Sequence, residues 1–115
     1  VERVQDQCYQ RCLRIETGGR RHQGWISLRH REGLIELALA PELAAAALPV
    51  LARVRRLLDL DADVEAIAAG LGSFARRPGL RVPGAVDGFE VAVRAVLGQL
   101  VSVAQAQRFA AWIAA

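Results

Sequence analysis

Residues able to do chemistry are few in this chain and are not grouped for catalysis. His22 and His30 are the only histidines. Both stand near turn residues rather than beside a nucleophile and an acid, so no acyl-transfer triad can be drawn. In Asp59-Leu60-Asp61-Ala62-Asp63 the carboxylates alternate as at the start of a calcium loop. The glycine and the distant bidentate Glu of such a loop are missing. The spacing reads better as a cap, with Asp61 closing the N-terminus of a helix over residues 62–70 and Asp63 and Glu65 in its positive first turn. Cys8 and Cys12 are four apart; on a strand they share a face about 13 Å from each other, too far to bridge. Two thiols without further ligands make no zinc site and read as reduced cysteines of a cytoplasmic protein. There is no phosphate-binding loop, HExxH or paired-carboxylate signature. We expect no catalytic residue, metal or other cofactor within this chain.

One short run suggests a different chemistry. Gly98-Gln99-Leu100-Val101-Ser102 falls between two helical patterns. Gly98 permits a turn, Gln99 offers a donor and an acceptor, and Leu100 is apolar at a helix junction. Leu100 also reads as the end of a buried stripe of Phe89, Val93, Val96 and Leu97. Four arginines accompany the run: Arg76, Arg77, Arg81 and Arg94. Each could hold a phosphate or tie the preceding loop to the helix; Arg94 follows Glu90 by four residues, so an ion pair along one helix face is the alternative. All 15 basic residues are Arg, and the net charge is +3. Residues 1–40 carry +2, residues 41–70 carry −2 and residues 71–115 carry +3. The C-terminal excess permits phosphate binding without requiring it.

The elements that position this run follow from periodicity. Residues 7–16 alternate, with Cys8, Gln10, Cys12 and Arg14 on one face and Tyr9, Arg11, Leu13 and Ile15 on the other, which predicts a strand. Gly18-Gly19 supplies a turn with φ > 0 at both positions. Trp25, Ile26 and Leu28 make a second strand and residues 34–39 a third, with links short enough to force an antiparallel meander. A helical stretch opens at Pro41, and Pro49 should kink it or split it in two. Its second part, with Val50, Leu51, Val54, Leu57 and Leu58 at helical spacing, should cover one face of the sheet. Of Trp25 and Ile26, only one can point toward that helix. Gly70-Leu71-Gly72 ends the short acidic-capped helix, and residues 73–85 form a loop. Asp87 caps the next helix with Glu90 three residues on, a capping-box start. Ser102 caps a last helix with Val103, Ala106, Ala110 and Ile113 on one face.

With 115 residues and 53% hydrophobic content the chain can bury a core. No apolar run is long enough to span a membrane, and the first residues are not a signal peptide. The start at Val1 and a last helix without a C-cap lead us to expect a piece of a longer protein.

Residues 76–103, RRPGLRVPGAVDGFEVAVRAVLGQLVSV, resemble the AlkA-like 3-methyladenine DNA glycosylases of the helix-hairpin-helix superfamily. The resemblance implies an α+β fold: an antiparallel sheet with helices on one face, similar to a TATA-binding-protein half, followed by the first helices of an all-α helical domain. It implies an N-terminal α+β domain over residues 1–72, incomplete at its start, and the beginning of the glycosylase domain over residues 73–115. It implies removal of alkylated purines from double-stranded DNA. Leu100 would be the wedge inserted through the minor groove, with Gln99, Val101 and Ser102 beside the DNA and the base pocket. The family's hairpin and catalytic Asp come later in sequence, so the resemblance places catalysis outside these residues and expects this piece alone to be inactive. Some bacterial relatives carry a regulatory alkylation-response module ahead of this domain. The alternative is a non-catalytic DNA-binding or regulatory module.

Overall fold

The computed structural model describes residues 2–113, except for the side chains of Leu100, Ala111 and Ile113. Four antiparallel strands lie in sequence order: β1 (Glu2–Gln5), β2 (Cys8–Thr17), β3 (Arg20–Arg31) and β4 (Leu34–Leu39). Each hairpin closes with two residues. Gln5 faces Cys8, Thr17 faces Arg20 and Arg31 faces Leu34. All six intervening residues, Asp6-Gln7, Gly18-Gly19 and Glu32-Gly33, have positive φ. That twist matches flanking antiparallel strands.

The α+β expectation holds, with two corrections. The sheet has four strands rather than three, because Glu2–Gln5 pairs with Cys8–Arg11. All four β1 residues are exposed and carry no alternation, so backbone pairing with β2 alone makes them a strand. β3 starts at Arg20, five residues before Trp25, because the polar run Arg20–Gln23 is paired residue by residue with Arg14–Thr17.

Alternation in β2 sorts the side chains as expected. Leu13 and Ile15 point to one face and are joined there by Ile26 and Leu28 of β3. Ile26 is buried and Trp25 is 55% exposed on the opposite face. The helical stretch after β4 divides into a 3-10 helix, Pro41–Ala46, and α1, Ala47–Leu57. The break falls ahead of Pro49, leaving that proline in the first turn of α1, where its missing N–H has no helical partner to lose. Leu43 and Ala46 of the 3-10 helix and Val50 and Val54 of α1 seal the core from this side. Full burial of each such Leu, Ile or Val contributes about 1.5–3 kcal/mol. The approach is close at Gly24, where an added Cβ would meet Ala40 Cβ at 2.9 Å and Leu43 Cγ at 3.1 Å.

The acidic run lies beyond α1. Asp63, not Asp61, caps α2 (Val64–Leu71), accepting from the Ala66 amide at 2.9 Å. Asp61 is paired with Arg55 of α1 instead, and Asp59 has positive φ where α1 ends. Gly72, with φ 52°, closes α2. Two further helices follow the loop over residues 73–85: α3 (Gly88–Leu100) and α4 (Val103–Ile113), packed on each other. Among the described residues no helix is long and apolar enough to cross a membrane.

Candidate nucleic-acid interface

The loop leading to α3 is fixed to the first part of the molecule. Arg81 donates to the backbone carbonyls of Asp59, at 2.5 Å, and Ala62, at 3.2 Å. Val82 N–H reaches the Asp59 carboxylate at 3.2 Å. Gly84 N–H donates to Leu57 O at 2.9 Å, and a Cβ on Gly84 would stand 2.4 Å from Arg56 O, so only glycine permits this approach. Val86 then enters the core. Arg76 and Arg77 lie earlier in the loop, and both are exposed. Among the described residues neither side chain makes a hydrogen bond or an ion pair.

Asp87 caps α3 as expected, accepting from Phe89 N–H at 2.7 Å and Glu90 N–H at 3.1 Å. The reciprocal half of the expected capping box is not made, because the Glu90 carboxylate turns to the sheet. It accepts from Arg11 at 2.5 Å and from Arg94 at 2.9 Å. Arg94 also donates to Glu2 at 2.8 Å, and Tyr9 Oη donates to Glu2 at 2.7 Å and accepts from Arg11 at 3.2 Å. Five side chains from β1, β2 and α3 thus form one connected group. Arg11 is only 6% exposed, and its Nε is buried without a partner among the described residues.

The environment shifts three of these groups. Burial alone would push the Glu90 carboxyl up, but the hydrogen bonds and charges of Arg11 and then Arg94 outweigh it and hold it below the ordinary carboxylate range. Arg11 is desolvated, which by itself would ease its deprotonation, yet Glu90 and Tyr9 keep it firmly charged. Tyr9 is pushed up to about 12, first by burial and then by its bond to Glu2, with Arg11 opposing.

The expected buried stripe on α3 is corrected. Phe89 is 75% exposed and Val96 is also exposed, with Val93 and Leu97 only half-buried. The helical spacing is real, but within the described residues only α4 packs along this helix. The junction is also tighter than expected. Gly98 makes no turn: α3 runs through it to Leu100. Only Val101 and Ser102 link the helices. Val101 is extended, with φ −142° and ψ 168°, and its N–H reaches Leu97 O at 3.2 Å. Ser102 opens α4 in a reciprocal box: its Oγ accepts from Gln105 N–H at 3.4 Å, and Gln105 Oε1 accepts from Ser102 N–H at 3.3 Å. Gln99 is exposed and Val101 half-buried. Leu100 is the last residue of α3; its side chain lies outside the described residues.

Of the expected phosphate ligands, Arg76 and Arg77 are exposed and unpaired among the described residues, while Arg81 and Arg94 are engaged within the protein. Sequence reasoning passed over Arg11, Glu2 and Tyr9. The available signal was an arginine on the face of β2 that otherwise carries Tyr9, Leu13 and Ile15.

The sequence profile of the AlkA N-terminal domain matches residues 1–87, from β1 to the cap of α3. The chain belongs to the AlkA N-terminal domain family. It is 39% identical to the DNA-3-methyladenine glycosylase 2 of Escherichia coli (strain K12) over 120 residues, which cover 99% of this chain and 40% of that protein. It is 40% identical over 116 residues to a protein of Mycobacterium tuberculosis (strain CDC 1551 / Oshkosh) named "Probable bifunctional transcriptional activator/DNA repair enzyme AlkA". That match covers 95% of this chain and 23% of the relative. The chain therefore spans less than half the length of either relative. Similarity to these relatives continues past residue 87, where the profile match ends, through α3 and α4, the helices that flank Val101 and Ser102.

Proposed function

We propose that the protein containing this sequence is a DNA glycosylase of base-excision repair that removes alkylated purines from double-stranded DNA. The observation that carries this reading is the 39% identity to a DNA-3-methyladenine glycosylase across nearly the whole chain, α3 and α4 included. The geometry is compatible with it. Taking a base out of a duplex costs a few kcal/mol of stacking, and an apolar side chain can fill the gap it leaves. We assign that filling role to Leu100, at the C-terminal end of α3, with Gln99, Val101 and Ser102 around it. Arg76 and Arg77 are the arginines we assign to phosphate contact. Arg81 and Arg94 have structural partners and would hold the loop and helix in place. Residues 1–72 act in this reading as the supporting α+β unit, and residues 73–115 open the helical part. In this reading the carboxylate that stabilises the developing sugar cation comes from a part of the protein outside residues 1–115.

The test is release of free base from an alkylated duplex by the full-length protein, with and without chelator. Release that persists in chelator is expected. DNA binding without any release would favour the regulatory alternative, to which the words "transcriptional activator" in the name of the M. tuberculosis relative correspond. The 115 residues alone are expected to release nothing, and release by the purified piece would place catalysis within it.

A further inference from the structure

We propose that Arg11, acting through Glu90, is a positioning residue for base flipping: the charged group between β2 and α3 sets the tilt of α3 and so the place of its Leu100 end. The inference rests on the glycosylase reading above. Three observations carry it. First, α3 is not packed on the sheet by an apolar stripe: a cleft of about 640 Å3 opens between them, bordered by Leu13 of β2 and by Phe89 and Val93 of α3, and Phe89 is left 75% exposed. Among the described residues, the ion pairs that join β1 and β2 to the helix itself are Arg11 to Glu90 and Arg94 to Glu2. Second, Arg11 is a poor choice for stability alone. It is buried on a face where Leu13 and Ile15 are its apolar neighbours, and its Nε is left unpartnered among the described residues. An apolar residue would fill the same place without the desolvation cost, and exchanging buried ion pairs for apolar groups is often neutral. A planar guanidinium, by contrast, fixes the direction of the groups it touches, here Tyr9 and Glu90 by hydrogen bonds, with the Glu2 carboxylate at 3.9 Å. Third, the lever is long. Glu90 is in the first turn of α3 and Leu100 closes it, about 15 Å away along the axis. A tilt of about 10° at the sheet end would move the far end by roughly 3 Å, and misplacement of about 1 Å at a reacting site can cost a hundredfold in rate.

The experiment uses the full-length protein and a single alkylated purine in two duplexes, one with the base normally paired and one with it facing an abasic gap. Flipping costs least when the base is unpaired. Arg11→Leu is expected to slow single-turnover excision of the paired base by about tenfold or more, and of the unpaired base by less than about threefold. Arg11→Lys should recover part of the loss, since it restores a charge at Glu90 without the planar fork. Glu90→Gln, which keeps size and removes the charge, should show the same asymmetry and carries the test if Arg11→Leu does not fold. Equal losses on the two duplexes, or wild-type rates on the paired base in a folded variant, would overturn the positioning role while leaving the glycosylase reading intact. A wild-type protein that releases no base from either duplex would overturn both.

Discussion

The sheet with α1 and the pair α3–α4 hold themselves together differently. The first closes an apolar core from its own residues: Ile15 and Ile26 from the strands meet Leu43, Val50 and Val54 from the helices, all fully buried. The second is richer in hydrophobic residues but leaves Phe89, Val96 and Val103 open to solvent, with Trp112 80% exposed. Val86 anchors the loop before α3 in that core, while α3 itself meets the strands, among the described residues, through Arg11, Glu90, Arg94 and Glu2. Burial is non-directional and tolerates small rotations, whereas hydrogen-bonded charges specify direction. The first region is therefore built for stability and the second for orientation.

Mutations can break or sharpen this contrast. The largest effect is expected in the core, where Ile26→Ala should lower stability by about 2–5 kcal/mol, measured as a denaturant midpoint. Its neighbour Trp25→Ala, on the open face of the sheet, should cost far less, and equal losses would erase the distinction between the two faces. At the end of α3, Leu100→Ala in the full-length protein should slow excision by about tenfold, or ~1.4 kcal/mol of barrier, with a nearly unchanged midpoint. A large drop in midpoint with normal excision would make Leu100 a core residue instead. The acidic run offers a finer test: Asp63→Ala removes a helix cap and should cost about 1 kcal/mol. Asp61→Ala removes only an exposed ion pair with Arg55 and should stay within about 0.5 kcal/mol.

The smallest expected effect is on pH. Glu90 is held below the ordinary carboxylate range in the folded protein. It therefore adds stability at pH above that range and loses it as pH falls through its lowered folded value. Glu90→Gln should flatten this acid limb of the midpoint–pH curve. If the variant keeps the full acid slope, the link between α3 and the sheet does not depend on that charge.

Much of this was legible in the residues themselves. Alternation from Cys8 to Ile15 sorted one strand's faces, Gly18-Gly19 marked a hairpin, Asp87 and Ser102 marked helix starts, and residues 76–103 carried the family. These are local signals, decided by the period of a side-chain pattern or by the backbone freedom of one residue. The four residues of β1 became a strand only by pairing with β2, since nothing in Glu2–Gln5 alternates. Asp63 rather than Asp61 became the cap because Asp61 found Arg55 in space. Phe89 and Val96 kept their helical spacing, yet a pattern states only that a face is apolar, not what covers it. Arg11 shows the limit most clearly. Its place on the apolar face of β2 could be counted from sequence, but its partner Glu90 lies 79 residues further along the chain. Pairing over that separation is made by packing, so only the tertiary structure could turn a lone buried arginine into the hinge point of a helix.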